Sequence, residues 1–182
     1  MLQADLADLG GVATEGNWRY VLIIIDTYSK YTHLFPLEKK SSGELAPHVS
    51  FICITAALCP PLSTEVSSRC RVQFKDVFFH HGIPRMLHTD NGTEFKGEVE
   101  KLCKALGVEL VHGRAYHPQT QGCVERRVGT VKRRLASIFA TGDCKDWAPA
   151  LPLIQFQINT TWTASINMSP WEAVYGEKAY VP

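Results

Sequence analysis

Three carboxylates stand out by where they sit. Asp5 lies inside a loosely alternating segment, Leu2 to Leu9, that runs into Gly10-Gly11. Asp90 closes a short apolar run and is followed by Asn91-Gly92, a turn pair that would leave its carboxylate at a sheet edge. Glu125 opens a stretch of helical spacing just after Gln119-Thr-Gln-Gly122. Two strands and a helix start holding three carboxylates make a hard-oxygen set for Mg²⁺ or Mn²⁺, ions that keep water and substrate phosphate in their remaining positions. Two such ions about 4 Å apart stabilise both the attacking and the leaving oxygen of an in-line phosphoryl displacement. Taken singly, each of the three reads equally well as a solvated turn or cap residue.

The elements that must position them can be read from the pattern. Trp18 to Asp26, rich in β-branched and aromatic residues, is the strongest strand, and Tyr31 to Leu37 follows a polar turn as a third. Three short strands with tight connections predict an antiparallel meander. Ser41 or Ser42 is placed to cap a helix near Gly43. Beyond it the spacing predicts a helix over Gln73–Phe79, stopped by Gly82 and Pro84, and a strand over Arg85–Thr89. Next come a helix over Phe95–Leu106 ending at Gly107, a strand over Val108–Val111 and a loop over Gly113–Gly122. Helices are expected over Val124–Phe139 and Trp147–Asn159, with a short last one after Ser169-Pro170. Strands first, then alternating helix and strand, predict an α/β domain with a mixed sheet.

One stretch, Ile52 to Cys70, interrupts what should be a single helix. It carries Pro60-Pro61, which cannot continue a helix, and three of the six cysteines. It reads as an insertion, either a surface loop or sequence foreign to the fold such as a retained intron. The chain is otherwise read as one domain over residues 1–182.

Composition narrows the function classes. With 182 residues, 45% apolar and 20% charged, the chain can bury a core unaided. Lysine plus arginine total 19 against 18 acids, a net charge of +1, which excludes a uniformly basic DNA-coating protein and an acidic disordered activator. No apolar run approaches the roughly 18 residues of a membrane span, so no membrane partner is expected. No charged segment leads into an apolar one at the start, so no secretory signal is expected. The cysteines form no Cys-x-x-Cys pair, which argues against zinc and for free thiols in a reducing compartment. His80-His81 reads as a polar helix end. Trp18, Trp147 and Trp171 read as core or interface anchors.

The stretch His88-Thr-Asp-Asn-Gly-Thr-Glu-Phe95, followed by Tyr116-His-Pro-Gln-Thr-Gln-Gly-Cys-Val-Glu-Arg126, resembles the catalytic core of retroviral and retrotransposon integrases. Tyr20-Val-Leu-Ile-Ile-Ile-Asp26 and Tyr28-Ser-Lys-Tyr31 resemble that family's second and third strands. Asn159-Thr-Thr-Trp162 and Met168-Ser-Pro-Trp-Glu-Ala-Val-Tyr-Gly176 resemble its C-terminal helices. The particular flavour is similar to gypsy-type long-terminal-repeat elements and related cut-and-paste transposons, including domesticated copies. The resemblance implies an RNase H-like fold, a mixed five-stranded sheet flanked by helices, with a D,D,E triad. Asp5, Asp90 and Glu125 match its three positions, with Asp8 a rival for the first. It further implies Mg²⁺ or Mn²⁺, nicking of a DNA end, strand transfer by the freed 3′-hydroxyl, a homodimer, and, from the substrate, a nuclear location. The Asp90-to-Glu125 interval is within a residue of the family's usual spacing. The Asp5-to-Asp90 interval is well beyond it unless Ile52 to Cys70 is set aside.

A local charge surplus follows Glu125: Arg126, Arg127, Lys132, Arg133 and Arg134. Lys132, two turns beyond Glu125 on one helical face, is placed to hold a DNA phosphate near the carboxylates. Arg126, Gln119 and Gln121 are further candidate DNA contacts. The alternatives are a solvated basic face for the cations and loop shaping by Pro118 and Gly122 for the glutamines. An inactive, domesticated nucleic-acid-binding or protein-interaction domain is the second reading of the whole chain.

Overall fold

The computed structural model describes residues 1–10, 18–38, 66–90, 95, 97–112, 118–140 and 146–181, with backbone alone for 66–69 and 118–121. The expected meander is there: β1 (Leu2–Asp8) pairs antiparallel with β2 (Trp18–Asp26), and β2 with β3 (Thr32–Glu38). After helix α1 (Val66–His81), β4 (Met86–Thr89) enters parallel to β1 on its other side. Helix α2 (Glu98–Leu106) returns the chain to β5 (Glu109–His112), parallel to β4, completing a mixed sheet of order β3-β2-β1-β4-β5. Helices α3 (Pro118–Ala140), α4 (Leu151–Thr160) and α5 (Pro170–Tyr175) follow, α4 being entered through a single 3₁₀ turn at Ala148–Ala150.

Helices cover both faces of the sheet, which explains the uninterrupted apolar run of its second strand. Val21, Leu22, Ile23, Ile24 and Ile25 are all fully buried, each worth about 1.5–3 kcal/mol relative to exposure. Leu22 and Ile24 join Leu2 and Ala4 against Phe74, Val77 and Phe78 of α1 and Val99 and Leu102 of α2. Val21, Ile23 and Ile25 join Ala7 and Leu9 against Val124, Val131 and Leu135 of α3, Leu151, Ile154 and Ile158 of α4, and Trp147.

Two helices begin earlier than their pattern predicts. Helix α1 starts at Val66, not near Gln73, so the last five residues of the stretch read as an insertion are helical. The reason is Cys70, fully buried in the core. Buried cysteines pack as small apolar residues, and counting Cys70 so extends the buried spacing 70, 74, 77, 78 by a turn. Residues 52–65 and the helix expected near Gly43 lie outside the described residues. Helix α3 starts at Pro118, a favoured first helical residue because its missing N–H has no partner there. Gln119 and Gln121 therefore belong to its first turn, not to a loop, and Glu125 sits two turns inside. Signals read correctly include Gly107, left-handed at φ 68° at the end of α2, and Ser169, whose hydroxyl accepts from the Glu172 N–H at the start of α5.

Candidate active site

The parallel register of β1 and β4 sets the candidate site. Leu2 stands beside Leu87, Gln3 beside His88 and Ala4 beside Thr89. The ladder ends there; Asp5 is the residue after Ala4, and Asp90 the residue after Thr89. Side chains alternate across a strand. Leu2, Ala4 and Leu87 enter the core beneath α1 and α2, so Gln3, Asp5, His88 and Asp90 belong to the opposite face. That is the face α3 covers, through Val124, Val131 and Leu135. Gln3 and His88 thus lie side by side at the end of the parallel pair, with Asp5 and Asp90 two residues further along their chains.

Asp5 is half-buried and its Oδ1 accepts the Leu6 N–H at 2.8 Å; Asp90 is exposed. Glu125 is exposed beside the buried Val124 on α3. Among the described residues no three Asp, Glu, His or Cys side chains lie close enough together to hold one metal ion. Asp5 and Asp90 thus each follow the last paired residues of β1 and β4, and Glu125 is not gathered with them as a third ligand. The donors present still suit a hard divalent cation. Beside the carboxylate pair, Gln3 is 5% exposed and its carbonyl Oε1 has no hydrogen-bond partner among the described residues. A buried oxygen of that kind is what a cation or its hydration shell would satisfy.

Asp8, the rival for the first position, is committed elsewhere. Its carboxylate takes Arg19 Nη2 at 2.9 Å and the Gly10 N–H at 2.7 Å. The Arg19 hydrogen bond, aided by the Gly10 N–H, holds the Asp8 carboxyl below its ordinary range, and Lys132 lowers it a little further. Lys132 is itself exposed, so its ammonium lies near the end of β1 and open to solvent.

The five cations of α3 divide. Arg126, Lys132 and Arg133 face solvent, with Arg126 Nε donating to the Gly122 carbonyl at 2.7 Å. Arg134 instead donates to Gln157 Oε1 of α4 at 2.7 Å, and Arg127 is half-buried with Nη2 3.5 Å from the Lys30 carbonyl. Those two fasten the helix to its neighbours. The side chains of Gln119 and Gln121 lie outside the described residues.

Sequence reasoning missed Gln3 and His88. The signal was available: each lies two residues before a candidate carboxylate, and alternation puts it on the same face. His88 is 7% exposed, and burial, with a contribution from His112, lowers its imidazole pKa. Of the tryptophans, Trp147 is fully buried and Trp171 packs on Phe156 and Tyr175, both as expected of anchors, whereas Trp162 is exposed. Cys103 and Cys123 are free thiols, and burial pushes Cys103 up to about 11. No helix among the described residues is long and apolar enough to cross a membrane.

Comparison with known proteins agrees with this architecture. Residues 18–140 match the TnsB C-terminal domain. The chain is 28% identical over 160 residues to the Pol polyprotein of radiation murine leukemia virus (strain Kaplan), covering 87% of this chain and 23% of the relative. It is 29% identical over 159 residues to the Gag-Pol polyprotein of woolly monkey sarcoma virus, covering 87% and 8%. The chain thus spans less than a quarter of the curated relatives it matches. Among solved structures, the BIV integrase catalytic core superposes with a TM-score of 0.66 at 22% identity, covering 96% of this chain and 93% of that one. The HTLV-2 integrase catalytic core in complex with magnesium, a trimeric form, gives 0.67 at 16% identity, covering 96% and 95%. The simian T-cell lymphotropic virus intasome with PP2A regulatory subunit B56 gamma gives 0.70 at 18%, covering 100% and 56%. The family match places this chain in the TnsB C-terminal domain family, and the sheet order, the flanking helices and the structural likenesses give it the RNase H-like fold of integrase catalytic cores.

Proposed function

We propose that the chain is the catalytic core of a DNA integration enzyme, a metal-dependent polynucleotidyl transferase for 3′-end processing and strand transfer. The observation that supports this is the parallel register of β1 and β4, whose last pair, Ala4 beside Thr89, directly precedes Asp5 and Asp90, in a sheet with one face covered by the helix that bears Glu125. Asp5, Asp90 and Glu125 are the residues that would hold Mg²⁺ or Mn²⁺, as the magnesium-bound HTLV-2 neighbour suggests. When bound, the ions supply activation of the attacking oxygen and stabilisation of the leaving one.

In this reading Lys132 and Arg126 hold DNA phosphates, assisted by Gln119 and Gln121 in the first turn of α3. The partners are DNA and a second copy of the chain, and the substrate places the protein in the nucleus. Reversal of strand joining on a branched DNA tests the proposal, because it asks least of any further DNA-gripping modules. Metal-dependent product that disappears in Glu125→Gln is expected.

One observation favours a second reading, an inactive nucleic-acid-binding or protein-interaction domain: the described residues gather no three metal-holding side chains. Tight DNA binding with no metal-dependent product from folded protein would establish it in place of the first.

A further inference from the structure

Every polar group buried on the α3 face must find a partner or cost stability, commonly 1–3 kcal/mol for a lost hydrogen bond, a range taken as roughly general. Gln3 breaks that rule at a telling position. It is nineteen-twentieths buried, between Ile25 of β2 and His88 of β4, and its Oε1 accepts nothing among the described residues. Along β1 it stands one row from Asp5, about 6.6 Å away on the same face. A valine or leucine would fill such a place at no polar cost.

We propose that Gln3 is a positioning residue of the carboxylate centre, its Oε1 reserved for a hydrogen bond from the hydration shell of a divalent cation held at Asp5 and Asp90. This rests on the reading of those carboxylates as metal ligands. Mg²⁺ and Mn²⁺ retain water when bound by few carboxylates. Such water must donate its protons to fixed acceptors, and those outer partners commonly govern metal affinity by about 10- to 100-fold. A neutral amide suits the task. It accepts without adding a third negative charge beside two carboxylates, and its other end can donate to a neighbour.

The test is calorimetric Mn²⁺ titration of the 182-residue chain, paired with its thermal midpoint in chelator. Gln3→Met keeps the side chain's length and removes the acceptor. It is expected to weaken Mn²⁺ binding about tenfold while leaving the metal-free midpoint unchanged or higher, since a purely structural glutamine would lower the midpoint and leave affinity alone. Asp5→Asn separates the two layers of the argument. If Asp5→Asn abolishes binding and Gln3→Met leaves it intact, the role of Gln3 is overturned and the carboxylate centre stands. If Asp5→Asn leaves binding unchanged, the carboxylate reading fails and this proposal with it. Should Gln3→Met not fold, Gln3→Asn withdraws the oxygen by one methylene and is judged by the same two readouts.

Discussion

At the scale of single residues, the chemistry divides groups that face solvent from groups already committed within the fold. Lys132 is exposed yet close enough to lower the Asp8 carboxyl, so its charge is available to a phosphate at the end of β1. Lys132→Ala should weaken DNA binding almost equally for all sequences and reduce the slope of log affinity against log salt by about one. An unchanged slope would remove Lys132 from the interface. His33 offers a different test, because burial first and His81 second lower its pKa from 6.5 to about 3. It packs between Phe35, Tyr31 and His81. The unfolded chain takes up a proton below pH 6.5 that the folded chain refuses. The stability due to neutral His33 is therefore complete above that pH and lost as pH falls towards 3, by at most about 1.4 kcal/mol per unit. Urea midpoints between pH 7 and 4.5 should fall less steeply in His33→Phe than in the parent, and equal slopes would contradict the assignment.

At the scale of elements, the sheet has one edge that is actively closed. The outward groups of β3 are taken by α4: the Thr32 N–H donates to Asn159 Oδ1 at 2.9 Å, and Asn159 Nδ2 donates back to the Thr32 carbonyl at 2.8 Å. The Leu34 N–H donates to Gln155 Oε1 at 2.7 Å, and Pro36 has no N–H to offer. An edge so blocked cannot add a further strand, and α4 is locked in register with the meander. Asn159→Ala strands two buried backbone groups and should cost about 1–3 kcal/mol in chemical denaturation. A loss near zero would mean water replaces the amide. The sequence pattern located every described strand and helix, but not the starts of α1 and α3. Cys70 was read for its thiol and Pro118 for its turn-forming habit, and in each case burial or a helix N-terminus decided otherwise. The edge closure was invisible for another reason: Asn159 and Thr32 lie 127 residues apart, and no local spacing announces the contact.

At the scale of the whole molecule, the mixed sheet brings the ends of the meander and of the first parallel strand to one place. The class of fold was legible because two periodicities alternate in a fixed order along the chain. The parallel register that carries β1 and β4 up to Asp5 and Asp90 was not legible in local patterns, since it depends on β4 entering beside β1 rather than next to β3. That Arg134 meets α4 was not legible, because a helix's sequence shows which residues share a stripe, not which stripe meets a neighbour. One exposed stripe bears on assembly. On α1, Val72 and Phe79 are seven residues apart, and Ile83 lies just beyond the helix; Phe79 is 65% exposed. If this stripe meets a second copy, Phe79→Glu should shift the sedimentation of a dimer to that of a monomer without changing the fold. Parent and variant sedimenting alike would exclude this stripe as an assembly surface.

The proposed activity requires that Asp5, Asp90 and Glu125 act together on DNA, the first two following the last paired residues of β1 and β4. Reversal of strand joining in Mg²⁺ or Mn²⁺, measured for the parent chain and for Asp5→Asn, Asp90→Asn and Glu125→Gln at matched folding, addresses it most directly. The account predicts metal-dependent product from the parent and background from all three variants. Product from Glu125→Gln equal to the parent's would contradict it.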